Sequence, residues 1–242
     1  MQSKKTIIAI SIVAISISAI SFTKAVASED WDFRVAPYFW TAGLTGDLGP
    51  KSHPASVNMD FSDVISMAEI GFMIFTEAQY QDTWGVLADF MYIELSEGGT
   101  GPMGGSVDMD TEFGLITFGA SHQCAENVAI YAGGRWVSMD TTVDATPGPR
   151  VNDKEDWVDP IVGVRLRGVI SDDWAMNVAG DVGGFSANSD ITWHALANAE
   201  YSFNDTWSGI LGYRLLDIDY DKDGFIANFV MSGLLLGVGA QF

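Results

Sequence analysis

The chain has 242 residues, with 12 Lys and Arg against 32 Asp and Glu, a formal net charge of −20, 26 Gly and 48% hydrophobic residues. That excess of carboxylates excludes nucleic acid as a partner, because phosphate binding needs clustered Lys and Arg. A single cysteine, Cys124, excludes an internal disulfide.

The first element is a processing segment. Lys4 and Lys5 precede a Ser-laced apolar stretch from Ile7 to Phe22, and Ala25-Val26-Ala27 supplies a small-residue cleavage site. These features predict a signal peptide over residues 1–27, cut after Ala27, and hence export. A transmembrane helix is disfavoured because the stretch is short for a span and a cleavage site follows at once. The segment holds three of the 12 basic residues and no acid, so the chain without it carries −23. The remaining residues, 28–242, read as one domain. No later stretch reaches the ~18 apolar residues that a spanning helix requires, so membrane insertion would have to be by strands.

Alternation of apolar and polar residues then marks ten runs, at about 31–43, 70–80, 84–95, 107–121, 127–139, 157–170, 174–186, 190–203, 207–219 and 225–242. Boundaries read this way carry errors of a few residues, and counts of eight or twelve stay open. Short links at 81–83, 122–126, 171–173 and 204–206 alternate with longer ones at 44–69, 96–106 and 140–156, as periplasmic turns and external loops do. An even count returns both ends of the domain to the periplasmic side.

One phrase recurs at the short links: Gln81-Asp82-Thr83-Trp84, Ser171-Asp172-Asp173-Trp174 and Asn204-Asp205-Thr206-Trp207. Each closes one run and opens the next with Trp, and Trp31 opens the first run in the same way. A soluble β-sandwich would show the same alternation. It would bury its aromatics, however, rather than place Trp31, Trp84, Trp174 and Trp207 on the apolar parity at one end. The reading is an all-β, antiparallel up-and-down transmembrane barrel, with these Trp residues as membrane-interface anchors.

With the apolar parity facing lipid, the inward polar set is Arg34, Glu77, Asp89, Glu112, Arg135, Asp159, Arg165, Arg167, Asp181, His194, Glu200 and Arg214. Every cation in it is Arg, which pairs bidentately with carboxylates. A narrow barrel of ~8 strands is just filled by side chains, whereas aqueous pores appear at ~16. Ten strands therefore favour a salt-bridged polar plug over a narrow ion or solute channel.

Other constellations are weaker. Asp219, Asp221 and Asp223 followed by Gly224 match the start of a calcium loop, but Val230 stands where the bidentate Glu belongs. The alternative is a hairpin turn of solvated acids on Asp-Gly. His53 falls in the first external loop, His122 at a periplasmic turn and His194 inside, with Asp181, Ser189 and Asp190 nearby in sequence for an imagined hydrolytic site. No spacing implies a metal centre or cofactor, and no catalytic residue is assigned. Within the first long link, Phe61-Ser62-Asp63-Val64-Ile65 predicts a short helix capped by Ser62 or Asp63 and covering the barrel mouth.

Several segments resemble a group of uncharacterised proteobacterial outer-membrane β-barrel proteins: Ala36-Pro37-Tyr38-Phe39-Trp40, Phe61 to Ile65, Trp157-Val158-Asp159-Pro160, Gly180 to Phe185, and Leu211-Gly212-Tyr213-Arg214. The last run, with Val230, Leu234, Leu236, Val238 and Ala240 on one parity and Phe242 at its end, resembles the C-terminal signature that the barrel-assembly machinery reads. The resemblance implies a Gram-negative outer-membrane location and transfers no activity. Lipid and lipopolysaccharide are the expected surroundings, and a monomer is the expected state. The expected role is structural or surface-interacting; a porin-like narrow channel is the second reading. Because some barrels, omptin proteases among them, are enzymes, a lipid- or peptide-acting hydrolase is the third.

Overall fold

The structure, a computed structural model, describes residues 30–52, 54–100, 105–146, 148 and 150–242; the expected signal segment and His53 lie outside them. The elements in chain order are β1 (Trp31–Trp40), β2 (Gly43–Pro50), β3 (Ala55–Met59), α1 (Phe61–Met67), β4 (Ala68–Tyr80), β5 (Trp84–Thr100), β6 (Ser106–Ala125), β7 (Val128–Thr146), β8 (Arg150–Val169), β9 (Trp174–Gly183), β10 (Ile191–Ser202), β11 (Trp207–Lys222) and β12 (Phe225–Gln241). From β4 to β12 each strand pairs antiparallel with its sequence neighbour. β1 pairs with both β4 and β12, which closes a ring of ten strands. The last residue takes part in closure: Phe242 and Phe33 exchange backbone hydrogen bonds at 3.0 and 3.1 Å.

Turn chemistry sets the register at the Trp-bearing end. Gln81 and Asp82 both have positive φ, 48° and 49°, and the Thr83 N–H donates to the Tyr80 carbonyl, as a two-residue type I′ turn requires. At the third copy the Asn204 side chain accepts from the Thr206 and Trp207 N–H groups, each at 2.9 Å. The link expected at 122–126 is shorter than the sequence pattern suggested. β6 continues to Ala125, and only Glu126 and Asn127 turn the chain.

The opposite end departs further from expectation. Most of the anticipated loops at 96–106 and 140–156 are continued hairpins, so β5 to β8 run for 17 to 20 residues. Both faces of these extensions meet water, so no apolar parity reveals them. The link after β1 folds as a β2–β3 hairpin followed by α1. Its N-cap is Asp60, not Ser62 or Asp63; Asp60 accepts from the Ser62 and Asp63 N–H groups, while Asp63 reaches back to the Asp60 N–H. Asp63 is thus the third helical residue of a capping box. Nor does α1 sit over the mouth. Phe61 packs edge-on against Phe39, an outward-facing residue of β1, at 5.8 Å.

The interior has two storeys. Toward the outer end Trp40, Met91, Leu115, Val137, Leu216, Ile218 and Phe229, from six different strands, form one buried apolar cluster, and Trp157 stacks on Tyr220 at 4.0 Å. Toward the Trp-bearing end the inward side chains are largely charged. The inner face leaves no room for a side chain between β6 and β7, where Gly119 and Gly133 pair directly. A Cβ on Gly133 would lie 1.9 Å from the Phe118 carbonyl oxygen.

Replacing Gly133 with Ala therefore forces backbone displacement, at a cost of ~1–3 kcal/mol. The folded, faster-migrating gel form should be lost at lower temperature than in wild type; an unchanged transition would refute this account of the wall. The Ser62 hydroxyl, and then the Asp63 and Ser62 N–H groups, hold the exposed Asp60 carboxyl below its usual value of 3.8. A depressed value means the cap is present at neutral pH and is lost as pH falls through it. Protection of the Ser62 and Asp63 amides, measured relative to the intrinsic exchange rate at each pH, should be lost in Asp60→Ala at neutral pH, and in wild type only under more acidic conditions.

Candidate functional site in the lumen

Eleven of the twelve sequence-predicted lumen residues face inward, and they assemble around five carboxylates. Nearest the Trp-bearing end, Glu200 accepts from Arg34 at 2.8 Å, Ser208 at 2.6 Å and Asn177 at 3.3 Å, with Arg167 at 3.6 Å. Arg165 pairs with Glu77 across the lumen, donating from Nη1 to one carboxylate oxygen and from Nη2 to the other. Higher up, Arg214 pairs with Asp89 at 2.8 Å and donates to the Tyr38 hydroxyl, which itself donates to Asp89. The Arg214 guanidinium also lies 5.0 Å from the Trp40 ring centre, where the charged storey meets the apolar one.

Arg135 and Asp181 form the most enclosed pair. Arg135 is fully buried; it donates to Asp181 at 2.7 Å, Thr192 at 2.9 Å and Thr117 at 3.4 Å. Asp181 also accepts from the Tyr131 hydroxyl at 2.8 Å and meets His194 Nδ1 at 3.1 Å. Every oxygen of this carboxylate is engaged, as a buried ion needs. Among the described residues Asp159 has no Arg partner. It takes hydrogen bonds from the Ser189 N–H, the Ser189 hydroxyl and the Trp157 indole instead.

Glu112 is the exception. It is exposed and shares its parity on β6 with the outward-facing Phe118. The two faces of β6 exchange character where the strand leaves the bilayer: the outward parity is apolar at Ile116 and Phe118, and acidic at Asp108, Asp110 and Glu112. Without Glu112 the lumen carries five carboxylates, Glu77, Asp89, Asp159, Asp181 and Glu200, against the five arginines.

The imagined hydrolytic set does not assemble around His194. Asp181 is bonded to its Nδ1, but Ser189 is committed to Asp159, and Asp190 lies in the link after β9, its N–H donating to the Asp219 carbonyl. Among the described residues His194 Nε2 has no hydrogen-bond partner, so no hydroxyl is placed for activation through it. The calcium-like motif is a hairpin. Asp223 and Gly224, with φ of 54° and 83°, turn β11 into β12, while Asp221 pairs with Lys51 at 2.8 Å. Among the described residues no three potential metal ligands gather.

Sequence reasoning missed the hydroxyl and amide members: Tyr38, Thr117, Tyr131, Asn177, Ser189, Thr192 and Ser208. A usable signal existed, since Tyr131 shares the parity of Arg135, and Tyr38 that of Arg34. At the Trp-bearing end Trp31, Trp84, Trp174 and Trp207 are each at least 37% exposed. Trp84 packs at a tilt against His122, with ring centres 4.4 Å apart, so an imidazole joins the aromatic rim near the β6–β7 turn.

The OmpT outer-membrane protease of Escherichia coli superposes with a TM-score of 0.59 at 10% identity, covering 88% of this chain and 97% of that one. The fold is that of a bacterial outer-membrane β-barrel. Ail of Yersinia pestis gives 0.43 at 10% identity (88% and 99% covered), and neisserial surface protein A gives 0.32 at 14% (87% and 97%). No protein-family model and no curated relative matches the sequence. At such identities the likeness concerns the fold alone.

Removing one partner of a buried pair leaves the other charge uncompensated, at ~3–5 kcal/mol, whereas apolar replacement of both can be neutral. Asp181→Leu should lower the denaturant midpoint in detergent strongly, and Arg135→Met with Asp181→Leu should recover most of the loss. Equal losses in both variants would show that the pair is not the origin of the stability.

Proposed function

We propose that the protein is an axially closed barrel of the bacterial outer membrane, delivered there after signal-peptide removal at Ala27, with a structural or surface-interacting role rather than a conducting one. The observation that carries this reading is the apolar cluster across the outer storey. Its members Met91, Leu115, Val137, Leu216, Ile218 and Phe229 are buried, from 0 to 1% exposed. A dehydrated apolar cross-section is a barrier to ions, because moving a charge through it forfeits hydration.

The paired charges beneath serve the same end. Arg34, Arg135, Arg165 and Arg214 are each bonded to a carboxylate on another strand, so they brace the wall across the lumen instead of lining a water column. The outward parity supplies contact with lipid through Val162, Val164, Leu166, Leu211, Leu234 and Leu236. The Trp residues at its lower edge fit the headgroup boundary. We assign recognition by the assembly machinery to β12 and Phe242, contact with lipopolysaccharide to the outer half of the wall, and a monomeric state.

Purified protein in planar bilayers should give no steady single-channel current across a wide voltage range. Discrete, reproducible conductance steps would overturn the closed reading and favour the narrow channel.

A further inference from the structure

Elsewhere in the ring a ladder ends where one of its strands ends. At the β1–β4 wall both strands outlast their ladder. Pairing runs from Trp31↔Tyr80 to Pro37↔Ile74 and stops, although β1 continues to Trp40 and β4 begins above that level, at Ala68. Beyond Pro37, β1 and its continuation β2 follow β12, through Trp40↔Leu235 and Gly43↔Ser232. β2 then returns as β3, which pairs with β2 and not with β4. Tyr38–Trp40 and Ala68–Met73 are thus the two edges of an unbonded seam.

The level of the seam follows from strand geometry. Tyr38 is seven residues above Trp31, and a strand rising ~3.3 Å per residue at ~40° tilt climbs ~18 Å over that distance. In a hydrophobic band ~25 Å tall the seam therefore opens in the leaflet away from the Trp rim. Its outward flanks are apolar: Phe39, Ile70 and Phe72 are 45%, 56% and 40% exposed. Irregular backbone at membrane depth is tolerated only where protein covers it. α1 is placed as such a cover, with Phe61 against Phe39 and no residue of its own buried.

Inside, Tyr38 also lines a cavity of about 130 Å³. The cavity's exposed wall is mostly apolar, with Ala36, Phe75, Leu87, Ile210 and Leu235 among its lining; Asp89, Asp181 and the guanidiniums that also border it are already committed in ion pairs. An apolar cavity of ~150 Å³ accepts benzene, so this one has room for the last few carbons of a chain. Parting the seam breaks no ladder bond, whereas any other opening at this depth breaks ladder bonds and exposes their backbone groups to hydrocarbon.

We propose that the β1–β4 seam is a lateral port through which the hydrocarbon tail of an outer-leaflet lipid reaches the lumen cavity, with α1 as its cover. The proposal goes beyond axial closure, which leaves the membrane side as the way into the cavity from the outer half.

The test uses the full-length protein with Cys124→Ser, reconstituted in phosphatidylethanolamine vesicles doped with a phospholipid carrying a diazirine at the end of one acyl chain. After irradiation, fragment mass spectrometry assigns the label to residues. We expect insertion at inward-facing Tyr38, Phe75 and Leu87 as well as at outward-facing Phe39 and Phe72. Adding Phe39→Cys with Phe72→Cys, which the β1–β4 register would place opposite each other, gives a disulfide lock. Oxidation should abolish the inward label, spare the outward label at Leu166, and be reversed by reductant. Label confined to outward residues in the unlocked protein, or inward label indifferent to the lock, would overturn the port. Ion conductance is measured separately, so failure of the closed reading is distinguishable from failure of this one.

Discussion

Ring closure through backbone pairing is the constraint from which the rest follows. In hydrocarbon an unpaired N–H or C=O costs several kcal/mol, so the sheet must meet itself. Here it does so where β12 takes β1 along its lower half and β2 along its upper half. A ring of ten strands is narrow. Its interior must be filled by side chains, and the filling decides what the molecule can do. Charged groups occupy the lower storey because they find one another across a short diameter. Above them Trp40, Leu115 and Phe229 are buried in an apolar cluster.

The electrostatic design is one of mutual neutralisation. Five arginines balance five carboxylates in number, with Glu200 taking two of them and Asp159 held by Ser189 and Trp157 instead. Hydroxyls from Tyr38, Tyr131, Thr192 and Ser208 take up the remaining valences. Such a network restrains strands that are far apart in sequence: Arg34 with Glu200, and Arg214 with Asp89. Its benefit is specificity of pairing as much as stability, since a register slip would strand charges inside.

Much of this was legible in the sequence, for a physical reason. Within the bilayer the two strand faces meet opposite solvents, so Arg135 and Trp136 announce their sides by residue type alone. The same rule fails where both faces meet the same medium. Above the membrane both faces of β6 are wet, which misplaced Glu112 and hid the hairpin extensions. In the outer storey both faces are apolar: neighbours Leu215 and Leu216 look alike, although only Leu216 is fully buried. Carrying the parity of Arg135 forward to Val137 and Met139 would have exposed the apolar plug. The cap was misread by a residue or two because Asp60, Ser62 and Asp63 are all competent acceptors, and only the turn geometry chooses among them.

A neutral lumen has a consequence for how copies of the protein share a membrane. Because the interior charges cancel, the chain's large surplus of carboxylates lies outside the bilayer. Much of it stands on the outer hairpins, at residues such as Asp108, Asp110, Asp144, Asp153 and Asp219. Each barrel thus carries a like-charged crown at the height where anionic headgroups sit. Neighbouring crowns repel within roughly a Debye length, ~8 Å at physiological salt, and divalent cations relax that repulsion. Spacing between copies thereby becomes a property set by the ions of the surrounding medium.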